Sequence, residues 1–174
     1  MVKKKSETSK PAETTETKQA ETTAQNQQPA LVIHSQYVKD LSLEIPLAPE
    51  IFAEATQAPN VQIDFSINTK KLQNNTFNVA LTIKVDADVA NKKLFIVELT
   101  YAAIATLNVP QEAVEPLLFI ELPRLLFPFA RSIIANNLTE AGLPPLMLTP
   151  IDFVALYNSK KAQVAAAAAA KAEK

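Results

Sequence analysis

Alternation of apolar and polar residues at period two marks four segments as strands with one buried face. In the first, roughly residues 32–45, Leu41, Leu43 and Ile45 fall on one side and Asp40, Ser42 and Glu44 on the other. The second, VQIDFSIN, sets Val61, Ile63, Phe65 and Ile67 against Gln62, Asp64, Ser66 and Asn68. The third, FNVALTIKVDAD, aligns Phe77, Val79, Leu81, Ile83 and Val85. The fourth, LFIVELTYAAIATL, is apolar on both faces apart from Glu98 and Thr100, which calls for cover on both sides. KKLQNNT and DVANKK read as hairpin connections, with Asn74 and Asn75 suited to left-handed turn conformations. The prolines of IPLAPEIFAEATQAPN argue against regular structure before the second strand. Short turns favour an antiparallel sheet, most simply a meander.

After Pro110 the period changes. Leu122, Leu125, Leu126, Phe129, Ile133, Ile134 and Leu138 recur at three- and four-residue steps between Gln111 and Ala141, as on a wide helical stripe. Pro116, Pro123 and Pro128 predict breaks or kinks early in this stretch and a regular helix after Pro128. Gly142, the single glycine, stands where a left-handed helix stop is wanted. Thr149 and Pro150 read as N-cap and first position of a second helix running to about Val164, with Asp152 in its first turn. Four strands followed by two helices predict an α+β domain: a four-stranded antiparallel sheet with two C-terminal helices packed on one face.

Composition sets the boundaries. Residues 1–30 are almost wholly polar and predict a disordered tail, residues 31–160 form the folded domain, and 161–174 are an alanine-rich C-terminal tail continuing the last helix. Net charge is −1, which leaves no electrostatic footprint for nucleic acid. Lys3, Lys4 and Lys5 are followed by no apolar stretch of a signal peptide, and no apolar run approaches the roughly 20 residues that span a bilayer. The absence of cysteine is consistent with the cytoplasm, and together with the two preceding observations the chain is read as cytoplasmic.

The same counts work against catalysis. One histidine (His34), no cysteine and one glycine leave no Cys–His pair, no histidine or thiolate metal cluster and no glycine-rich phosphate cradle. His34 reads as a polar residue near the start of an edge strand. A carboxylate-only Ca²⁺ or Mg²⁺ site at Asp86 and Asp88 competes with a plain solvated hairpin end. No cofactor is implied. Asp40 and Glu44 lie about 13 Å apart on one strand face, too far for a glycosidase-type pair on that strand and suited either to docking a basic partner or to an ordinary solvated face. Glu98 joins them if the strands are neighbours. Phe52 and the linker LPPLML put apolar groups where loops are normally wet, as an oligomer interface, a binding surface, or loops folded back on the core.

Several blocks in order are similar to the SecB family: YVKDLSLEIPLAPEIF (37–52), PNVQIDFSI (59–67), FIVELTYAAI (95–104), RLLFPFAR (124–131) and GLPPLMLTPIDFVALY (142–157). This resemblance implies a homotetramer, a dimer of dimers with helices inside and sheets outside. It implies a non-enzymatic chaperone that holds preproteins unfolded without ATP and delivers them to SecA. By the same resemblance, Asp40, Glu44, Ile96 and Glu98 would receive the basic zinc-bearing tail of SecA. Val61, Ile63, Phe65, Leu146 and Leu148 would hold clients, and Phe52 and Phe153 join them by their apolar placement. The chain departs from the family at Ala102-Ala103, where many relatives carry a glycine pair. The competing reading is a carrier of a small apolar ligand or lipid, its helices closing over a cavity in the sheet.

Overall fold

In the computed structural model, which describes residues 29–54 and 57–172, all four alternating segments form strands: β1 (Leu31–Glu44), β2 (Asn60–Gln73), β3 (Thr76–Val89) and β4 (Lys92–Leu107). The polar tail expected over residues 1–30 falls outside the described residues as far as residue 28. All pairings are antiparallel, but the spatial order is β1-β4-β3-β2 rather than a meander. Strands β2, β3 and β4 follow one another through hairpins, and β1 returns beside β4 in a Greek-key arrangement. The connection over residues 45–59 is long enough to cross the end of the sheet, whereas the hairpins are not. Asn74 takes φ 44° in the first hairpin, while Ala90 and Asn91 take φ 48° and 62° in the second. Two successive positive φ values match the right-handed twist of the paired strands.

That long connection is not wholly irregular. A short helix, α1 (Glu50–Glu54), forms within it, and Ile51 is fully buried with its N–H donating to Leu47 O at 2.9 Å. Pro46 and Pro49 precede this turn of helix and Pro59 follows it, so none of them interrupts its hydrogen bonds.

Of the breaks or kinks expected early in the helical stretch, no break occurs. Helix α2 (Gln111–Pro116), a wide π turn (Leu117–Glu121) and helix α3 (Leu122–Glu140) run on without a gap. The N–H of Leu122 reaches Leu117 O, one residue beyond the ordinary α spacing. This wider turn makes room just ahead of Pro123, whose ring would crowd an α-helical carbonyl. Pro128 lies inside α3 on an exposed side, where water can reach the carbonyl its missing N–H leaves unpaired. Helix α3 stops as its sequence predicts. Gly142 has φ 81°, its N–H donates to Thr139 O at 3.1 Å, and Leu143 N–H donates to Leu138 O at 2.9 Å, the paired bonds of a Schellman motif.

Helix α4 (Phe153–Ala172) starts later than Thr149 and Pro150 suggest. Asp152 is the cap, its Oδ1 accepting from Ala155 N–H at 2.9 Å. An aspartate one residue ahead of the apolar run can close this bond, whereas Thr149 is stranded in the extended linker.

The core lies between α3 and one face of the sheet. Val79, Leu81, Ile83 and Val85 of β3 and Val97, Leu99 and Ala103 of β4 meet Leu122, Leu126, Ala130, Ile134 and Leu138 of α3. Helix α3 packs on β3 and β4, whereas α4 packs mainly on the π turn, with Tyr157 stacked on Phe119 at 6.1 Å. The wide stripe seen in the sequence therefore divides: its Leu125 and Phe129 point away from this core and are exposed.

Two substitutions test this packing. Leu126→Ala is expected to lower unfolding free energy by about 2–5 kcal/mol in urea denaturation through the cavity it leaves. Gly142→Ala is expected to cost about 1 kcal/mol, because a Cβ there meets Phe52 only at an ordinary 3.9 Å and the penalty is the positive φ alone.

Candidate binding surfaces

The outer face of the sheet, turned away from α3, is assembled by strand register. Ser42 of β1 faces Glu98 of β4, which faces Lys84 of β3, which faces Asp64 of β2. One step along, Glu44, Ile96, Asp86 and Gln62 form a parallel row. On the other side come Asp40, Thr100, Thr82 and Ser66. Glu98 thus sits between Asp40 and Glu44 across one strand gap, roughly 8 Å from each by sheet spacing. Asp40, Glu44, Ile96 and Glu98 share one patch, Ile96 and Glu98 half-buried and the two β1 acids exposed. This joins Glu98 to the β1 pair.

Polar bonds tie the rest of this face together. Thr82 and Thr100 are hydrogen-bonded at 2.9 Å, as are Thr76 and Thr106. His34 Nε2 meets Thr106 Oγ1 at 2.7 Å, which places His34 on the exposed end of the edge strand. Asn78 Nδ2 donates to Tyr37 Oη at 2.7 Å, so Tyr37 reaches from β1 across β4 to β3. Ala102, opposite Tyr37, is small and fully buried beneath that reach. Asp86 and Asp88 do not form an open cation site. Lys93 Nζ lies between them at 3.3 and 2.9 Å, and its hydrogen bond to Asp88, opposed by desolvation and helped by Asp86, raises its pKa.

The apolar candidates divide by depth. On edge strand β2, Val61 and Phe65 are half-buried and Ile63 is exposed. Phe65 meets Phe127 edge-on at 6.5 Å, and Phe127 meets Phe153 edge-on at 6.1 Å. This aromatic relay links β2, α3 and α4. Phe52 is exposed and Leu146 half-buried. Leu148 and Phe153 are different: at 3% and 4% exposed they belong to the core. The linker folds back there, and Arg131 Nη1 donates to Leu148 O at 3.4 Å.

Two features were missed in the sequence. A cleft of about 590 Å³ separates the π turn and α3 from residues 150–154, with Ile120 of the π turn and Arg124, Phe127 and Arg131 of α3 on one wall. Their three- and four-residue spacing was the available signal. The other is an apolar strip in which Val38 neighbours Tyr101 and Tyr101 stacks on Phe129 at 6.2 Å. Val38 and Phe129 are 45% and 51% exposed, too much for a settled core position.

An open sheet with an acidic outer patch, apolar edges and a helix-covered inner face defines a protein-binding module of the α+β class. The family profile described as "Preprotein translocase subunit SecB" matches residues 24–164. Protein-export protein SecB of Paramagnetospirillum magneticum is 47% identical over 137 residues, covering 78% of this chain and 88% of that protein. Those of Rhodospirillum rubrum and Rhodopseudomonas palustris are 42% and 47% identical, covering 83% and 84% of this chain and 90% of each relative. The chain belongs to the SecB family of protein-export chaperones. A SecB-like chaperone from Mycobacterium tuberculosis, solved in complex with a ChAD peptide from an antitoxin, shares the fold at 14% identity. Its TM-score is 0.60 over 70% of this chain and 91% of that one.

Asp152→Ala is expected to weaken the start of α4 by about 0.5–2 kcal/mol. Hydrogen exchange should show faster amides at residues 153–163 with the sheet unchanged.

Proposed function

We propose that this protein holds unfolded preproteins in the cytoplasm without ATP and passes them to SecA. The observation that carries the proposal is the register of β1 on β4, which gathers Asp40, Glu44, Ile96 and Glu98 on the outer face. The apolar groups of β2 and α3 lie on the other side of the sheet. A basic tail of SecA would dock on the first surface while a client occupies the second.

Client contact falls to Ile63 and Phe52 at the surface, with Val61, Phe65 and Leu146 half-buried behind them. Leu148 and Phe153 support this surface from the core. Backbone on the outer edge of β2, unpaired among the described residues, adds sequence-independent hydrogen bonding, which suits many clients. The Val38–Tyr101–Phe129 strip and exposed Leu125 and Leu41 suit contact between copies of the chain, in a homotetramer built as a dimer of dimers. The carrier reading is less well supported, because the inner face of the sheet is filled by the side chains of α3 itself.

The test is suppression of aggregation of a denatured, signal-bearing preprotein by the purified full chain without nucleotide, with its mass in solution recorded alongside. Suppression near one tetramer per client is expected, and a monomer that fails to hold unfolded chains would overturn the proposal. Asp40→Lys with Glu44→Lys is expected to weaken SecA binding at least tenfold and leave client holding intact. Ile63→Asp should do the reverse. Loss of both activities in either variant would contradict the separation of surfaces.

A further inference from the structure

Resting on the reading of the outer face as the docking surface for a basic partner, the geometry points to Lys84 as the residue that limits how tightly, and where, that partner docks. Lys84 is exposed in the middle of β3 on the outer face. Its cross-strand neighbours are both acids, Glu98 on β4 and Asp64 on β2. Directly opposed residues have Cβ atoms about 4.5–5.5 Å apart, and the flexible lysine stem lets its ammonium reach either carboxylate.

The acids of the face are thereby sorted into two halves. On the β3 side, Asp86 and Asp88 are held by Lys93 at 3.3 and 2.9 Å, and Asp64 faces Lys84. On the β1 side, Asp40 and Glu44 have Thr100 and Ile96 as their cross-strand neighbours. Glu98 stands at the boundary, with Ser42 on one flank and Lys84 on the other. A polycation crossing the sheet meets Asp40 and Glu44 on β1, neither of them ion-paired among the described residues, then Glu98 shared with Lys84, and a positive charge at β3. Lys84 confines it to the first half and draws part of the field of Glu98 away from it. The arrangement favours release over tightest binding, which suits a protein that must part from its partner each time a client is delivered.

The experiment titrates the full chain with a zinc-loaded synthetic peptide of the basic SecA tail, at low and at high salt. Lys84→Gln is expected to bind about three- to tenfold more tightly at low ionic strength, with the gain fading as screening shortens to a few ångströms. Lys84→Arg keeps the charge and should bind as the unaltered chain does. Lys70→Gln makes the same change in net charge on the same face, but it pairs with Asn78, six residues along β3 from Lys84. At roughly 20 Å it lies beyond the screening length and should shift affinity less than twofold. Aggregation suppression is measured on each variant and should be unchanged. Equal binding by Lys84→Gln and the unaltered chain, or equal gains from Lys84→Gln and Lys70→Gln, would overturn the assignment. If Asp40→Lys with Glu44→Lys also binds the peptide undiminished, the docking face itself is wrong and the role of Lys84 falls with it.

Discussion

Strand β4 is paired along most of its length on both sides, to β1 and to β3, and its inner face is covered. Its inner side chains, Val97, Leu99, Tyr101 and Ala103, lie against the core or at its rim. On its outer side Ala102 is closed over by Tyr37, which reaches Asn78 on the far neighbour. A strand in this position tolerates little polarity, because buried polar groups must find partners. Thr100 and Thr106 do so with hydroxyls on β3. Between Leu94 and Leu107, Glu98 is the charged exception, and it emerges where β1 offers only the small Ser42 opposite.

The edge strand β1 is where the fold departs from strict alternation. Its register shifts between Ile33 and Ser35 and again between Val38 and Asp40. Each shift exchanges the faces to which its side chains point. Because of the second, Asp40, Ser42 and Glu44 look outward while Val38 joins the inner side next to Tyr101. A regular strand would have put Val38 on the acidic patch. The bulge therefore separates an acidic face from an apolar edge within a few residues of one strand.

Helix α3 has a second division of labour. Leu122, Leu126, Ile134 and Leu138 hold it on the sheet, and Phe127 carries contact on to Phe65 and Phe153. Leu125 and Phe129 remain exposed. Within a single copy these two are surplus apolar surface, which association between copies would remove from water.

Much of this was legible in the residues. Period-two alternation placed all four strands, the apolar stripe placed the long helix, and Gly142 its end. The order of blocks pointed to the family that the relatives establish. These are local or linear properties, set by backbone periodicity and by the conformations a residue type allows. The sequence could not place β1 beside β4 instead of β2, because strand order depends on which buried edges match after the chain has turned back. Nor could it put Leu148 and Phe153 in the core and Phe129 outside it, since apolar residues at similar spacing look alike until neighbours close over some of them. Which of the two outcomes expected at the prolines, a break or a kink, was undecided for the same kind of reason. A proline forbids an ordinary α-helical bond, but whether the chain breaks or widens by one residue is decided by the sheet it must lie against.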